Sequence, residues 1–134
     1  MNPLSIVIAD DNIDHAESLA MVLNLWGHKI NVCLFQDKTI ECCLKHCPDV
    51  ILLDIGFPLR SDGLSLARQL REWPSLNDAA IIACTCFSDP ETRGLALEAE
   101  FDHLMVKPMD LDELKQILAI IKPKKKTQLV QFVN

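Results

Sequence analysis

Short apolar runs alternate along this chain with segments of helical periodicity, and this alternation narrows the folds that the chain can adopt. The apolar runs predict strands at residues 4–9, 28–33, 50–53, 80–84 and 103–106, and the periodic segments predict helices at residues 14–26, 37–47, 64–72, 90–99 and 111–121. The run at 50–53 contains no polar residue, which is typical of a strand covered on both faces. Regular alternation with short connections therefore predicts an α/β fold, doubly wound around a parallel sheet.

The predicted helix ends rest on residues with known capping preferences. Gly27 is expected to end the first helix, and Asp37 to cap the second. Asp62-Gly63 is expected to form a loop before the third helix, and Asp110 to cap the last one. In that last helix, helical spacing predicts a buried stripe of Leu111, Leu114, Leu118 and Ile121.

Length and composition are those of a single globular domain. The 134 residues are 49% hydrophobic and 24% charged, and the net charge of −6 argues against a general nucleic-acid-binding surface. Residues 1–122 are expected to form the domain, and residues 123–134 a tail that is basic and then apolar. No apolar run is long enough to span a membrane and no basic segment opens a signal peptide, so we expect a cytoplasmic protein with free thiols.

Polar side chains stand at the points where the apolar runs stop. Asp10 and Asp11 follow the first run, Asp54 follows the third, Thr85 the fourth and Lys107 the fifth. The carboxyl ends of parallel strands open at one edge of a sheet, which is where open α/β sheets bind ligands. We therefore expect carboxylates, a hydroxyl and an ammonium group to converge there.

Such a group of side chains suits a divalent metal and a phosphoryl group. Crowded carboxylates repel one another, and a hard cation such as Mg²⁺ removes that conflict by taking oxygen ligands. Asp11 is expected to bind the metal directly, and Asp10 directly or through water. Asp54 and the backbone carbonyl of Gly56 are expected to supply further oxygens.

Asp54 ends the most enclosed of the predicted strands, where a carboxylate can attack phosphorus and form an aspartyl phosphate. The metal would offset charge on the phosphoryl oxygens. Lys107 is expected to pair with another phosphoryl oxygen, and the hydroxyl of Thr85 to donate to a third.

These residues and their order resemble the receiver domain of bacterial two-component response regulators, over about residues 4–121. The resemblance is carried by Ile6-Val7-Ile8-Ala9-Asp10-Asp11-Asn12, Leu53-Asp54-Ile55-Gly56-Phe57-Pro58, Asp62-Gly63 and Phe101-Asp102-His103-Leu104-Met105-Val106-Lys107-Pro108. It implies a flavodoxin-like (βα)5 sandwich with strand order 2-1-3-4-5. It also implies dependence on Mg²⁺ and transfer of phosphate to Asp54 from a histidine kinase or a histidine phosphotransfer protein.

The chain departs from the pattern of that family at several positions. Leu104 stands three residues before Lys107, where the family usually has an aromatic residue or His, so the usual readout through an inward-swinging ring is in question. Cys86 follows Thr85, where the family usually has Ala or Gly, and is expected to narrow the entry to the site and slow phosphorylation by acetyl phosphate. The segment Pro58–Asp62 is one residue longer than the common loop, and we have no functional account of it.

The predicted function is a phosphorylation-dependent switch in two-component signalling, not an enzyme acting on a separate substrate. We expect no output domain after residue 121, and therefore expect the chain to bind a further protein, or to relay phosphate, as a monomer or weak dimer. Its segments also resemble receivers of hybrid kinases, so a free-standing protein and an excised domain are both open.

Other functions remain as alternatives. A degenerate receiver would bind a partner without taking phosphate. A phosphohydrolase that uses an aspartyl phosphate commonly needs a second acid two residues after the nucleophile, where this chain has Gly56. The histidines are expected to be surface or cap residues outside the carboxylate cluster: His15, His28, His46 and His103.

Overall fold

The computed structural model describes residues 2–55, 60–86, 94 and 101–123, with the backbone alone at residues 60–63. Its strands are β1 (Ser5–Ala9), β2 (Lys29–Cys33), β3 (Val50–Asp54), β4 (Ala80–Thr85) and β5 (His103–Val106). Its helices are α1 (Ile13–Leu25), α2 (Thr39–His46), α3 (Arg60–Arg71) and α4 (Leu111–Ile120). Apart from the helical residue Gly94, the helix predicted at 90–99 lies outside the described residues, as does the tail from residue 124.

The strands form one parallel sheet in the order β2-β1-β3-β4-β5, which confirms the predicted α/β fold and strand order. β3 lies at the centre, between β1 and β4. Because the strands run in the same direction, their carboxyl ends open at one edge of the sheet. Among the described helices, none is long and apolar enough to cross a membrane.

Apolar side chains of the central strands alternate between the two faces of the sheet. Val7 and Ile51 enter the core cluster under α2 and α3, whereas their neighbours Ile8 and Leu52 enter the cluster under α1 and α4. All four of these side chains are at most 1% exposed. This alternation follows from the two-residue period of a strand, and it explains why the run at 50–53, in the central strand, contains no polar residue.

Two helix starts differ from the predictions. Asp37 does not cap α2; it lies inside a 3-10 turn (Gln36–Lys38) that has no side-chain cap. α3 begins at Arg60, so Asp62-Gly63 is helical and is not a loop. The turn propensity of Asp-Gly is a weak local preference, and tertiary packing of the following turns of α3 overrides it. An acidic residue in a first turn also suits the helix dipole.

The last helix confirms one prediction and corrects another. Asp110 caps α4, because its Oδ1 accepts from the backbone N–H groups of Asp112 (2.9 Å) and Glu113 (3.2 Å). Leu114 and Leu118 are buried, as predicted. Leu111 is 42% exposed, so its place in the buried stripe is wrong. It occupies the first position of the helix, where it borders a surface groove and not the core.

His28 is a buried residue and not the surface or cap residue that was expected. It is 4% exposed, and its Nδ1 accepts a hydrogen bond from the backbone N–H of Leu4 at 3.0 Å. Its Nε2 has no hydrogen-bond partner among the described residues. Burial lowers the pKa of His28 below its ordinary value of 6.5.

His28 should therefore make the protein less stable in acid. Below about pH 6.5 the unfolded chain binds a proton at this position that the folded chain does not, so the free energy of unfolding falls as pH drops towards the folded pKa. Between roughly pH 7.5 and pH 5.5 we expect the free energy of unfolding to fall further in the parent than in His28→Asn. Asparagine keeps an acceptor near Leu4 and does not titrate. Urea unfolding at both pH values measures this, and equal losses would contradict it.

Candidate functional site

Three carboxylates meet at the carboxyl edge of the sheet. Asp10 follows β1, Asp11 comes next, and Asp54 ends β3. One oxygen from each lies within 4.8 Å of the other two. Asp10 is buried, Asp54 is partly buried and Asp11 is exposed, so the cluster opens to solvent on the side of Asp11. The predicted convergence of these carboxylates is thus present in the structure.

The turn between β1 and α1 orients Asp10. The backbone N–H of Asp10 donates to the carbonyl of Cys33 at 3.1 Å, which continues the sheet by one residue. Oδ1 of Asp10 accepts from the backbone N–H of Asn12 at 3.0 Å. The side chain of Asn12 then caps α1 by accepting from the backbone N–H of His15 at 3.1 Å. One turn therefore directs the Asp10 carboxylate into the site and starts the helix.

Lys107 connects two of the carboxylates. Its Nζ lies 3.2 Å from Oδ2 of Asp54 and 3.3 Å from Oδ2 of Asp10. Its backbone N–H donates to the carbonyl of Thr85 at 2.7 Å, which holds the start of the β5–α4 connection against the end of β4. The Lys107 side chain is 18% exposed, so this ammonium group is largely enclosed with its partners.

The charges of the site stabilise one another. Burial acts to lower the pKa of Lys107, but the carboxylates of Asp54 and Asp10 outweigh it and raise that pKa. Burial likewise acts to raise the pKa of Asp10, but the hydrogen bond from Asn12 and the contacts with His15 and Lys107 outweigh it and lower that pKa. Asp10 and Lys107 are therefore both charged at neutral pH.

Thr85 is the last residue of β4 and is 1% exposed. It lies one residue beyond Cys84, the register partner of Asp54, so it shares the edge of the sheet with the carboxylates as predicted. Gly56, the remaining predicted metal ligand, lies outside the described residues.

His15 joins the carboxylate cluster, contrary to the expectation from sequence. Its Nδ1 lies 2.5 Å from Oδ2 of Asp10. His15 stands one helical turn after Asp11, in the first turn of α1, and helical side chains lean towards the N-terminus. A histidine four residues after the second member of an acidic pair, at a helix start, was the sequence signal that could have indicated this contact.

The positions that depart from the family pattern have distinct surroundings. Leu104 is partly buried and packs against the core cluster under α2 and α3. Cys86 is exposed and lines a groove of about 500 Å³ together with His15 and Lys107. Residues 56–59 of the loop that was predicted to be longer lie outside the described residues.

Comparison with known proteins identifies one family for this chain. The model of the family described as "Response regulator receiver domain" matches residues 6–119. The cyclic di-GMP phosphodiesterase response regulator RpfG of Xanthomonas campestris pv. campestris is 36% identical over 114 residues, which are 84% of this chain and 30% of that protein. Response regulator MprA of Mycobacterium sp. (strain KMS) is 30% identical over 112 residues, 84% of this chain and 47% of that protein. The chain thus spans less than half of the length of these relatives, 30% of the first and 47% of the second.

Solved structures show the same fold. The receiver domain of the Francisella response regulator 1452 superposes with a TM-score of 0.78 at 25% identity, over 90% of this chain and 96% of that one. The receiver domain of the sensor histidine kinase PA1611 from Pseudomonas aeruginosa, with a magnesium ion coordinated in its active-site cleft, superposes with a TM-score of 0.79 at 23% identity, over 90% and 98%.

Proposed function

This chain belongs to the family of response regulator receiver domains of two-component signalling, and from that premise we propose that Asp54 is its phosphoacceptor. In the proposed reaction an Asp54 oxygen attacks phosphorus and the donor departs as the leaving group. The donor is a histidine kinase or a histidine phosphotransfer protein. The phosphorylated chain then binds a further protein through a changed surface.

The observation that carries the proposal is the convergence of Lys107 and the carboxylates on one point. Its Nζ bridges Oδ2 of Asp54 and Oδ2 of Asp10, at 3.2 and 3.3 Å. An ammonium group beside the attacking oxygen is placed to pair with a phosphoryl oxygen once that group arrives. The Asp54 side chain is only 13% exposed, so transfer would take place in a largely enclosed site.

Receiver domains bind Mg²⁺ in an acidic pocket, and the donors of this pocket suit that ion. The clustered ligand atoms are carboxylate oxygens, which hard cations prefer, and Asp11 leaves one side accessible to water. Asp11 would be a direct ligand, and Asp10 and Asp54 would supply further oxygens. The carbonyl of Gly56 is the remaining proposed ligand. Bound Mg²⁺ would offset charge on the phosphoryl oxygens.

The aspartyl phosphate would rearrange the neighbouring side chains. The new group carries about −1.5 to −2 charge and strong acceptor oxygens. Lys107 would turn from Asp10 towards one of these oxygens, and the hydroxyl of Thr85 would donate to another. Movement at the ends of β4 and β5 would carry the change to the surface.

A binding module that takes no phosphate is the second candidate, and Leu104 is the observation that favours it. Leu104 has no ring to swing inward beside Thr85, although it is partly buried against the core. The first experiment below separates the two functions.

The protein should gain one phosphoryl mass when treated with acetyl phosphate in the presence of Mg²⁺. Intact mass spectrometry measures the gain, which should be labile to hydroxylamine, as an acyl phosphate is. Asp54→Ala should show no gain. Asp112→Ala, which removes an exposed acid on α4, is the matched control and should gain as the parent does. A parent that stays unmodified would favour the phosphate-independent module, and release of phosphate from an ester would favour a phosphohydrolase.

Cys86→Ala should take phosphate from acetyl phosphate faster than the parent. Cys86 is exposed beside Thr85 and lines the groove that reaches Lys107, so a smaller side chain would widen the entry. The rate of mass gain at a fixed donor concentration measures the effect. Equal rates for variant and parent would remove this role for Cys86.

A further inference from the structure

One oxygen of Asp10 receives two donors. Oδ2 lies 2.5 Å from Nδ1 of His15 and 3.3 Å from Nζ of Lys107. The other oxygen, Oδ1, accepts from the backbone N–H of Asn12 at 3.0 Å. Asp10 is 2% exposed, so these donors replace water around a carboxylate that is almost fully enclosed.

The hydrogen bond between His15 and Asp10 has a defined direction. The other partners of the Asp10 carboxylate are the backbone N–H of Asn12 and the ammonium group of Lys107, which can only donate, so both of its oxygens act as acceptors of an ionised group. An ionised carboxylate can only accept. Nδ1 of His15 therefore carries the proton and donates it to Oδ2.

The two donors differ in what else they contact. Lys107 also pairs with Asp54, the proposed phosphoacceptor, whereas the described contacts of the His15 ring with the cluster are with Asp10 alone. The set of ligand atoms within 4.8 Å of one another comprises the three carboxylates without His15. His15 thus contacts the proposed metal ligand Asp10 and does not itself belong to the cluster of candidate ligands.

We propose that His15 is a positioning residue of the metal site, an inference that rests on the proposed function. Its Nδ1–H holds the Asp10 carboxylate in the orientation that metal binding needs. It also keeps Oδ2 bonded when Lys107 turns towards the phosphoryl group. A helix start fixes His15 in turn, because the Asn12 cap binds its backbone N–H at 3.1 Å.

Loss of this donor should weaken metal binding. Without His15, Oδ2 would depend on Lys107 alone, and the ammonium group would be drawn towards Asp10 and the place of the cation. Removing a side chain that holds a metal ligand typically costs 10- to 100-fold in metal affinity. We therefore expect His15→Leu to bind Mg²⁺ about 10-fold more weakly than the parent.

Titration calorimetry of the full chain with Mg²⁺ alone tests the proposal. His15→Asn should recover most of the affinity, because the asparagine amide nitrogen stands near the position of Nδ1 and can donate. Ser18→Leu is the matched control: it adds the same side chain one turn further along α1, in the same groove, and should bind Mg²⁺ as the parent does. Thermal melting without metal checks that each variant is folded.

The outcomes separate this inference from the proposed function. It is overturned if His15→Leu binds Mg²⁺ like the parent, if folded His15→Asn binds as weakly as His15→Leu, or if the parent shows no binding at millimolar Mg²⁺. The proposed function fails instead when the parent binds Mg²⁺ but gains no phosphoryl mass on Asp54. A purely structural role for His15 would lower the melting temperature without the recovery by asparagine.

Discussion

Lys107→Met is expected to be substantially less stable than the parent without divalent cations, and to regain much of that stability in millimolar Mg²⁺. The ammonium group bridges Asp10 and Asp54, whose side chains are 3% and 13% exposed, so its removal leaves two enclosed carboxylates facing each other. Breaking a buried ion pair costs about 3–5 kcal/mol, and the partial opening of this site reduces the expected loss to roughly 2–3 kcal/mol. Methionine retains the apolar stem of lysine.

Mg²⁺ should narrow the difference because it supplies positive charge to the same carboxylates and binds the folded state. Urea unfolding of both proteins, with and without Mg²⁺, measures the effect. Lys38→Met is the control. Nζ of Lys38 forms an exposed pair with Glu41 at 3.8 Å, and loss of this pair should hardly change the free energy of unfolding. The interpretation would be wrong if Lys107→Met matched the parent without metal, or if Mg²⁺ stabilised both proteins equally.

Leu114→Ala should destabilise the protein by about 3 kcal/mol, whereas Leu111→Ala should cost less than about 1 kcal/mol. Leu114 is fully buried in the core cluster under α1 and α4, so truncation removes buried contacts and leaves a cavity. Leu111 is 42% exposed on the same helix.

The two variants make the same substitution three residues apart, so helix propensity is matched and burial is the variable. The free energy of unfolding in urea measures both. Similar losses for the two variants would show that Leu111 packs into the core after all, as helical spacing alone predicts.

Most of the fold could be predicted from the sequence because buried parallel strands leave a strong pattern. The observed strands lie within one residue of the predicted ones at either end, and β5 (His103–Val106) matches in full. The Asp110 cap was also predictable, because its side chain bonds backbone groups only two and three residues away. Signals of this kind depend on neighbours in the sequence.

The wrong predictions concern features that depend on contacts between residues far apart in the sequence. The early start of α3, the failure of Asp37 as a cap and the exposure of Leu111 each depend on how a helix lies against the rest of the protein. Local preferences of a few tenths of a kcal/mol to about 1 kcal/mol cannot outweigh the burial of a helix face. His15 was missed because a histidine in a first turn is ordinary until the position of the neighbouring carboxylate is known.

The sequence by itself determined which residues end the strands, and hence that Asp10, Asp11, Asp54, Thr85 and Lys107 reach one edge of the sheet. That follows from alternating apolar runs, since only parallel strands bring all their carboxyl ends together. Tertiary structure alone decided how the charges pair: Lys107 between two carboxylates, and His15 against the oxygen of Asp10 that Lys107 also contacts. Pairing depends on distances of a few ångströms between atoms far apart along the chain, and these are set only when the helices pack on the sheet.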